Sequence, residues 1–90
     1  MTASSPIRAI VTGHTRGLGA ALAEQLLARD VTVLGLSRSR HAALKARFPA
    51  QLDEIELELA DPPRVAQWVA TDALRAFVSG AQSILLINNA

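Results

Sequence analysis

The sequence predicts an α/β fold, a parallel sheet with helices packed on its faces. Three observations lead there. Strand-like and helix-like segments alternate along all 90 residues, the grammar of a parallel sheet joined by helical crossovers. The run from Val31 to Leu36 is continuously apolar, as expected of a strand covered on both faces. A glycine-rich stretch, Gly13 to Gly19, falls at the junction between the first strand-like and the first helix-like segment.

Taken in order, Ile7 to Thr12 is apolar and partly β-branched and reads as the first strand. Leu18, Ala21, Leu22 and Leu26 recur at helical spacing, with Glu24, Gln25 and Arg29 on the other side. That helix is expected to end near Asp30, a residue type that tolerates a left-handed turn. Val31 to Leu36 is the second strand, and His41 to Phe48 a short helix closed by Pro49. Ile55, Leu57 and Leu59 alternate with Glu54, Glu56 and Glu58, predicting a third strand with one wet, acidic face at a sheet edge. Asp61 is placed as a helix N-cap with Pro62 and Pro63 in the first turn. Val65, Val69 and Ala73 follow at i, i+4 spacing, and Gly80 fits the C-terminal cap. Ile84 to Ile87 is the fourth strand, followed by Asn88, Asn89 and Ala90.

Bulk properties narrow the function. Half of the residues are hydrophobic and 19% are charged, which suits one small globular domain. The absence of cysteine excludes disulfides and thiolate metal sites, and two histidines, His14 and His41, are too few for a histidine cluster. No apolar run approaches the roughly 20 residues of a membrane span. Met1 to Pro6 has no apolar signal-peptide core, so a cytoplasmic location and no membrane partner are expected. Net charge is +1 but unevenly spread, with seven basic and two acidic residues before Pro49, and two basic and six acidic ones from there on. A basic half points to an anion site. With one Trp, two Phe and no Tyr there is no stacking platform for nucleic acid, which leaves a small phosphorylated ligand.

Thr12-Gly13-His14-Thr15-Arg16-Gly17-Leu18-Gly19 supplies what such a ligand needs. Gly13 allows a tight turn out of the strand, Gly17 lets a pyrophosphate approach the backbone, and Gly19 lets the helix lie close on the strand. The helix start then offers free N–H groups and partial positive charge. The spacing does not fit a Walker A loop, and no Lys-Ser/Thr pair follows it.

The pattern Thr-Gly-x-x-x-Gly-x-Gly, together with the terminal Asn88-Asn89-Ala90, resembles the signatures of the short-chain dehydrogenase/reductase family. The resemblance covers the whole chain, which corresponds to the first third to two-fifths of a family member of roughly 250 residues. It implies a Rossmann-like three-layer half-domain with strand order 3-2-1-4, residues 1–90 being the N-terminal dinucleotide-binding part.

It also implies a cofactor and its contacts. In a dinucleotide fold an acid at the end of the second strand selects NAD, and an arginine nearby accommodates the 2′-phosphate of NADP. Here Ser37 stands where relatives that use NAD carry Asp, and Arg38 follows it. Arg16 matches a second basic position of the NADP-using group, so the expected cofactor is NADP(H). Thr15 and Leu18 belong to the same loop signature. Glu58, beside Leu59, takes the adenine-side position where relatives carry Asp, while Asp61 reads mainly as a cap. Asn89 and Ala90, and less directly Asn88, would line the ribose and brace the central strand. Arg40 and His41 read as surface residues, His14 as a tolerated loop residue and Trp68 as a packing residue.

The family's chemistry is hydride transfer between the nicotinamide and a carbonyl or alcohol, carried by Tyr-x-x-x-Lys and an upstream Ser. This sequence has no Tyr, and its single Lys is Lys45. No catalytic residue is assigned, the catalytic part is expected to be absent, and a carbonyl or alcohol substrate would engage only a full-length parent. The fourth strand, 83–87, is expected to present a bare apolar edge through which the chain could form a homo-oligomer. The competing reading is a non-catalytic, truncated fragment that binds no nucleotide and self-associates through that edge.

Overall fold

The computed structural model describes residues 7–89; Met1 to Pro6 and Ala90 lie outside the described residues. The elements are β1 (Ile7–Thr12), α1 (Gly17–Ala28), β2 (Thr32–Ser37), α2 (Ala42–Arg47), β3 (Leu52–Glu56), α3 (Pro62–Val69), α4 (Ala73–Val78) and β4 (Ser83–Asn88). All four strands are parallel, in the expected order β3-β2-β1-β4.

Alternation of side chains along the strands splits the core into two layers. On one face Ala9, Val11, Val33 and Leu52 pack with Ala23 and Leu27 of α1 and Leu44 of α2. On the other, Ile10, Leu34 and Leu36 pack with Phe77 of α4, flanked by half-buried Trp68, Leu74 and Val78. β2 is buried on both faces, as its unbroken apolar run requires. Asp30 turns the chain from α1 into β2 with a φ of 64°, and Gly80 does the same after α4 with a φ of 80°.

Three expectations are corrected. The fully buried stripe of α1 is Gly19, Ala23 and Leu27; of the residues expected there, Leu26 packs half-buried against the core, Leu22 is half-buried, and Leu18 and Ala21 are exposed. Leu18 is 66% exposed. At the start of α1 the helix lies so close to the turn after β1 that only glycine fits at position 19, and Ala23 and Leu27 follow it inward at i+4 and i+8.

The single helix expected from Asp61 to Gly80 is two. Asp61 does cap its start, accepting from the Arg64 N–H at 3.3 Å. The break lies at Thr71, whose hydroxyl donates to the Trp68 carbonyl at 2.6 Å and accepts from the Ala73 N–H at 3.3 Å. A side chain that bonds both sides of its own backbone competes with the helical ladder. Val69 is left exposed, and the inward residues are Trp68, Leu74 and Phe77.

The acidic wet face of the third strand is also wrong in part. Pairing ends at Glu56, Leu57 adds one last bond to the Ser37 carbonyl, and Glu58 and Leu59 lie beyond the strand. Leu52 and Glu54 share the inner face, so Glu54 is buried rather than solvated.

Candidate functional site

A parallel sheet brings the carboxyl ends of all its strands to one side of the molecule. An open groove of about 1130 Å³ lies there. Gly13, Thr15 and Arg16 form one lip, Ser37 and Arg38 the other, Glu58 and Leu59 one end, and Asn88 and Asn89 the floor beside β1. Eight of the residues singled out from the sequence thus converge: Gly13, Thr15, Arg16, Ser37, Arg38, Glu58, Leu59 and Asn89. Gly17, Leu18 and Gly19 do not line the groove; they begin α1 directly after Arg16, which does. Ala90 lies outside the described residues.

Local chemistry explains the shape. Gly13 leaves β1 with a φ of 68°, and its N–H donates to the Leu36 carbonyl at 2.9 Å. Gly17 has a φ of 61°, and a Cβ there would point into open space, with no atom within 4 Å. Gly19 is the reverse: a Cβ there would fall 1.9 Å from the Gly13 carbonyl oxygen and 2.6 Å from Nδ2 of Asn89. Arg16 occupies the N-cap position of α1 without a side-chain capping bond, and the ladder opens with Ala20 N–H to the Arg16 carbonyl at 3.3 Å. The N–H groups of Gly17, Leu18 and Gly19 precede that bond. They make this end of α1 a donor surface with partial positive charge.

Polar contacts tie the strand ends together. The Thr12 hydroxyl donates to Oδ1 of Asn88 at 2.9 Å and accepts from the Asn89 N–H at 2.8 Å. Nδ2 of Asn89 donates to the Gly13 carbonyl at 3.4 Å. Thr15 and Ser37 face each other across the groove with their hydroxyls 3.4 Å apart. Arg38 is largely exposed and stands 3.8 Å from Glu58, a contact too open to hold it firmly. Arg40 also lines the groove, exposed and paired with Glu56 at 2.8 Å. Lys45 is occupied by the Pro49 and Leu52 carbonyls and does not reach the groove.

Sequence reasoning missed the pair beneath the loop. His14 is fully buried, with Nε2 at 2.6 Å from Oε2 of Glu54. The same carboxylate oxygen accepts from the His41 N–H at 2.6 Å. His41 is accordingly no mere surface residue: it is half-buried and caps α2, its Nδ1 accepting from the Leu44 N–H at 3.1 Å. The imidazole of His14 fits because β2 has a glycine opposite, and a Cβ on Gly35 would sit 2.5 Å from the ring. The one trace in the sequence is an isolated glycine in an apolar strand, which marks a close approach without saying by what.

Burial pushes the Glu54 carboxyl up. The His41 N–H, the His14 hydrogen bond and the attraction of His14 and Arg40 outweigh it and hold the group below its ordinary value of 4.5. Folding therefore gains from the ionised Glu54 at pH above that ordinary value, and the gain is lost as pH falls through the lowered one. As Glu54 is ionised, Nε2 of His14 carries the proton of their bond.

The arrangement suits a small, extended, phosphorylated ligand: backbone donors at one lip, guanidiniums on both, amides on the floor. No helix among the described residues is long and apolar enough to cross a membrane, and no group of His, Cys, Asp and Glu among them could hold a metal ion.

The NAD dependent epimerase/dehydratase family model matches residues 9–85. No curated protein matches the chain. Among solved structures, a short-chain dehydrogenase/reductase from Burkholderia vietnamiensis is 61% identical with a TM-score of 0.92, the match covering 94% of this chain and 39% of that one. A short-chain dehydrogenase from Streptomyces avermitilis is 32% identical (TM-score 0.69, 80% of this chain and 27% of that one). Menthone neomenthol reductase from Mentha piperita is 27% identical (TM-score 0.71, 99% and 32%). The chain spans about two-fifths or less of the length of these relatives. It belongs to the short-chain dehydrogenase/reductase family, in the broad sense that takes in the NAD dependent epimerases and dehydratases, and it carries a Rossmann nucleotide-binding portion.

Proposed function

We propose that residues 1–90 are the N-terminal, NADP(H)-binding part of a cytoplasmic oxidoreductase that transfers hydride between NADPH and a carbonyl or alcohol. The observation that carries the choice of cofactor is the end of β2: Ser37 followed by Arg38, with no carboxylate at the strand end and Arg16 on the facing lip. Two guanidiniums suit a 2′-phosphate dianion, which accepts paired, charge-assisted bonds. Glu58 competes for Arg38 only through a contact of 3.8 Å between exposed groups, which such a dianion would displace.

In this reading the N–H groups of Gly17, Leu18 and Gly19 receive the pyrophosphate, and the open space at Gly17 lets it approach. Glu58 and Leu59 flank the adenine, and Asn89 lies along the ribose. NADPH, when bound, supplies the hydride; the residues of this chain bind and orient it. The groups that would exchange a proton with substrate belong to other parts of a full-length enzyme.

Calorimetric titration with NADP⁺ and NAD⁺ tests this. Wild type should bind NADP⁺ saturably, and Arg38→Asp should weaken it by tenfold or more while NAD⁺ affinity holds or rises. Equal NADP⁺ affinity in the two proteins would overturn the phosphate role of Arg38. Failure of wild type to bind either nucleotide at millimolar concentration would overturn the cofactor reading. One observation favours a second reading in that event: Ile84, Leu85 and Leu86 of β4 are 48%, 42% and 69% exposed. A chain that binds no nucleotide and dimerises with rising concentration would be a self-associating element working through that edge.

A further inference from the structure

The geometry points to His14 and Glu54 as a positioning pair that clamps the glycine loop to the segment leaving β2, fixing Arg16 and Arg38 in mutual register. The inference rests on the cofactor reading above and goes beyond it, because neither side chain lines the groove.

Three facts support it. First, a single oxygen, Oε2 of Glu54, receives one bond from each side of the groove: His14 Nε2 at 2.6 Å from the loop and the His41 N–H at 2.6 Å from the start of α2. Arg16 is two residues from His14 in the chain, and Arg38 three from His41. Second, the clamp is enclosed. His14 is fully buried, the Glu54 side chain is 2% exposed, and the ring lies against the backbone of Gly35. Bonds shielded from water in this way hold geometry better than exposed ones. Third, Nδ1 of His14 is buried with no hydrogen-bond partner among the described residues. A buried polar atom left unmatched is tolerated where the rest of the side chain has a job that fixes its place.

Apart from the backbone bond of Gly13 to the Leu36 carbonyl at 2.9 Å, which lies at the strand ends, no comparably buried bond joins the two lips among the described residues. Thr15 and Ser37 meet at 3.4 Å near the surface, and Arg38 itself is open to solvent. A 2′-phosphate gripped from both lips depends on their separation. A nucleotide without that phosphate needs only the loop. The clamp therefore acts on discrimination between the two nucleotides.

The test compares wild type with Glu54→Ala and Glu54→Gln, using NADP⁺ and NAD⁺ as titrants. Glu54→Ala should lose tenfold or more in NADP⁺ affinity and less than threefold in NAD⁺ affinity. Glu54→Gln, whose amide oxygen can still accept both N–H groups, should stay within threefold of wild type for both. A parallel loss for the two nucleotides in Glu54→Ala would overturn the clamp, as a merely structural role predicts that result. NMR of the wild-type chain decides independently of folding in the variants. The His14 ring proton on Nε2 should appear as a slowly exchanging downfield signal that couples to the Glu54 side chain. Its absence would overturn the clamp even if Glu54→Ala fails to fold. If wild type binds neither nucleotide, the cofactor reading fails, and the tie between the two segments still stands or falls on that signal.

Discussion

Gly19→Ala is expected to lower stability by about 3 kcal/mol or more, despite alanine being the better helix former by about 1 kcal/mol. The added methyl would lie 1.9 Å from the Gly13 carbonyl oxygen and 2.8 Å from its carbon, both backbone atoms that have nowhere to go. α1 would have to lift from β1, uncovering Ala23 and Leu27, which hold that layer of the core. In a domain of this size, each kcal/mol lowers the melting midpoint by roughly 4–8 °C, so a fall of more than 10 °C is expected in thermal denaturation. Gly17→Ala is the control. Its methyl meets nothing within 4 Å, and only the φ of 61° opposes it, a penalty of about 1–2 kcal/mol. If Gly19→Ala proved as mild as Gly17→Ala, the close contact of α1 with the first strand would be wrong.

Gly35→Val should be at least as damaging, in a place where residue preference predicts the opposite. Valine suits a buried strand better than glycine does. Yet a Cβ at position 35 would lie 2.5 Å from three atoms of the His14 ring. The imidazole must leave, and the buried carboxylate of Glu54 loses its partner from the loop. Removing one member of a buried pair costs about 3–5 kcal/mol, a large share of the roughly 5–15 kcal/mol that holds a domain together. The cause can be separated from simple crowding by a cycle with His14→Ala. The double variant should be less destabilised in urea than the sum of the two single ones, because the second change removes nothing that the first has not already displaced. Strict additivity would show that ring and glycine do not share the space.

These two glycines mark how far the sequence could be read. Gly19 was legible, because its spacing from Gly13 and Gly17 belongs to a pattern whose mechanics are general. Gly35 was not, because its meaning depends on a residue 21 positions earlier in the chain turning inward. The strands were legible where apolar runs met glycine, proline or aspartate, and the groove residues converged because a parallel sheet collects its carboxyl ends. The sequence reading failed wherever one side chain outranked periodicity. Thr71 divided a helix whose hydrophobic spacing ran through it. Glu54 belonged to an alternating acidic pattern and was drawn inward by two donors. Gly19 set which side of α1 turned inward, carrying Ala23 and Leu27 with it in place of Leu22, because any side chain at position 19 would strike the Gly13 carbonyl.

The placement of β4 beside β1 has a consequence in time. β1 meets β2 after a single helical crossover, Thr12 pairing with Leu36 24 positions on (36 − 12), whereas Thr12 and Asn88 are separated by 76. Closing the longer loop costs more chain entropy, by roughly 1 kcal/mol on the logarithmic scaling of loop length. The strand at the centre of the order is thus the first to be born and the last to be completed on both sides. A nascent chain holds β1, β2 and β3 together with one flank of β1 open until the Ser83–Asn88 segment arrives. Pulse-labelled amide exchange during refolding should find β1–β2 amides protected before those of β4, and the reverse order would refute this history.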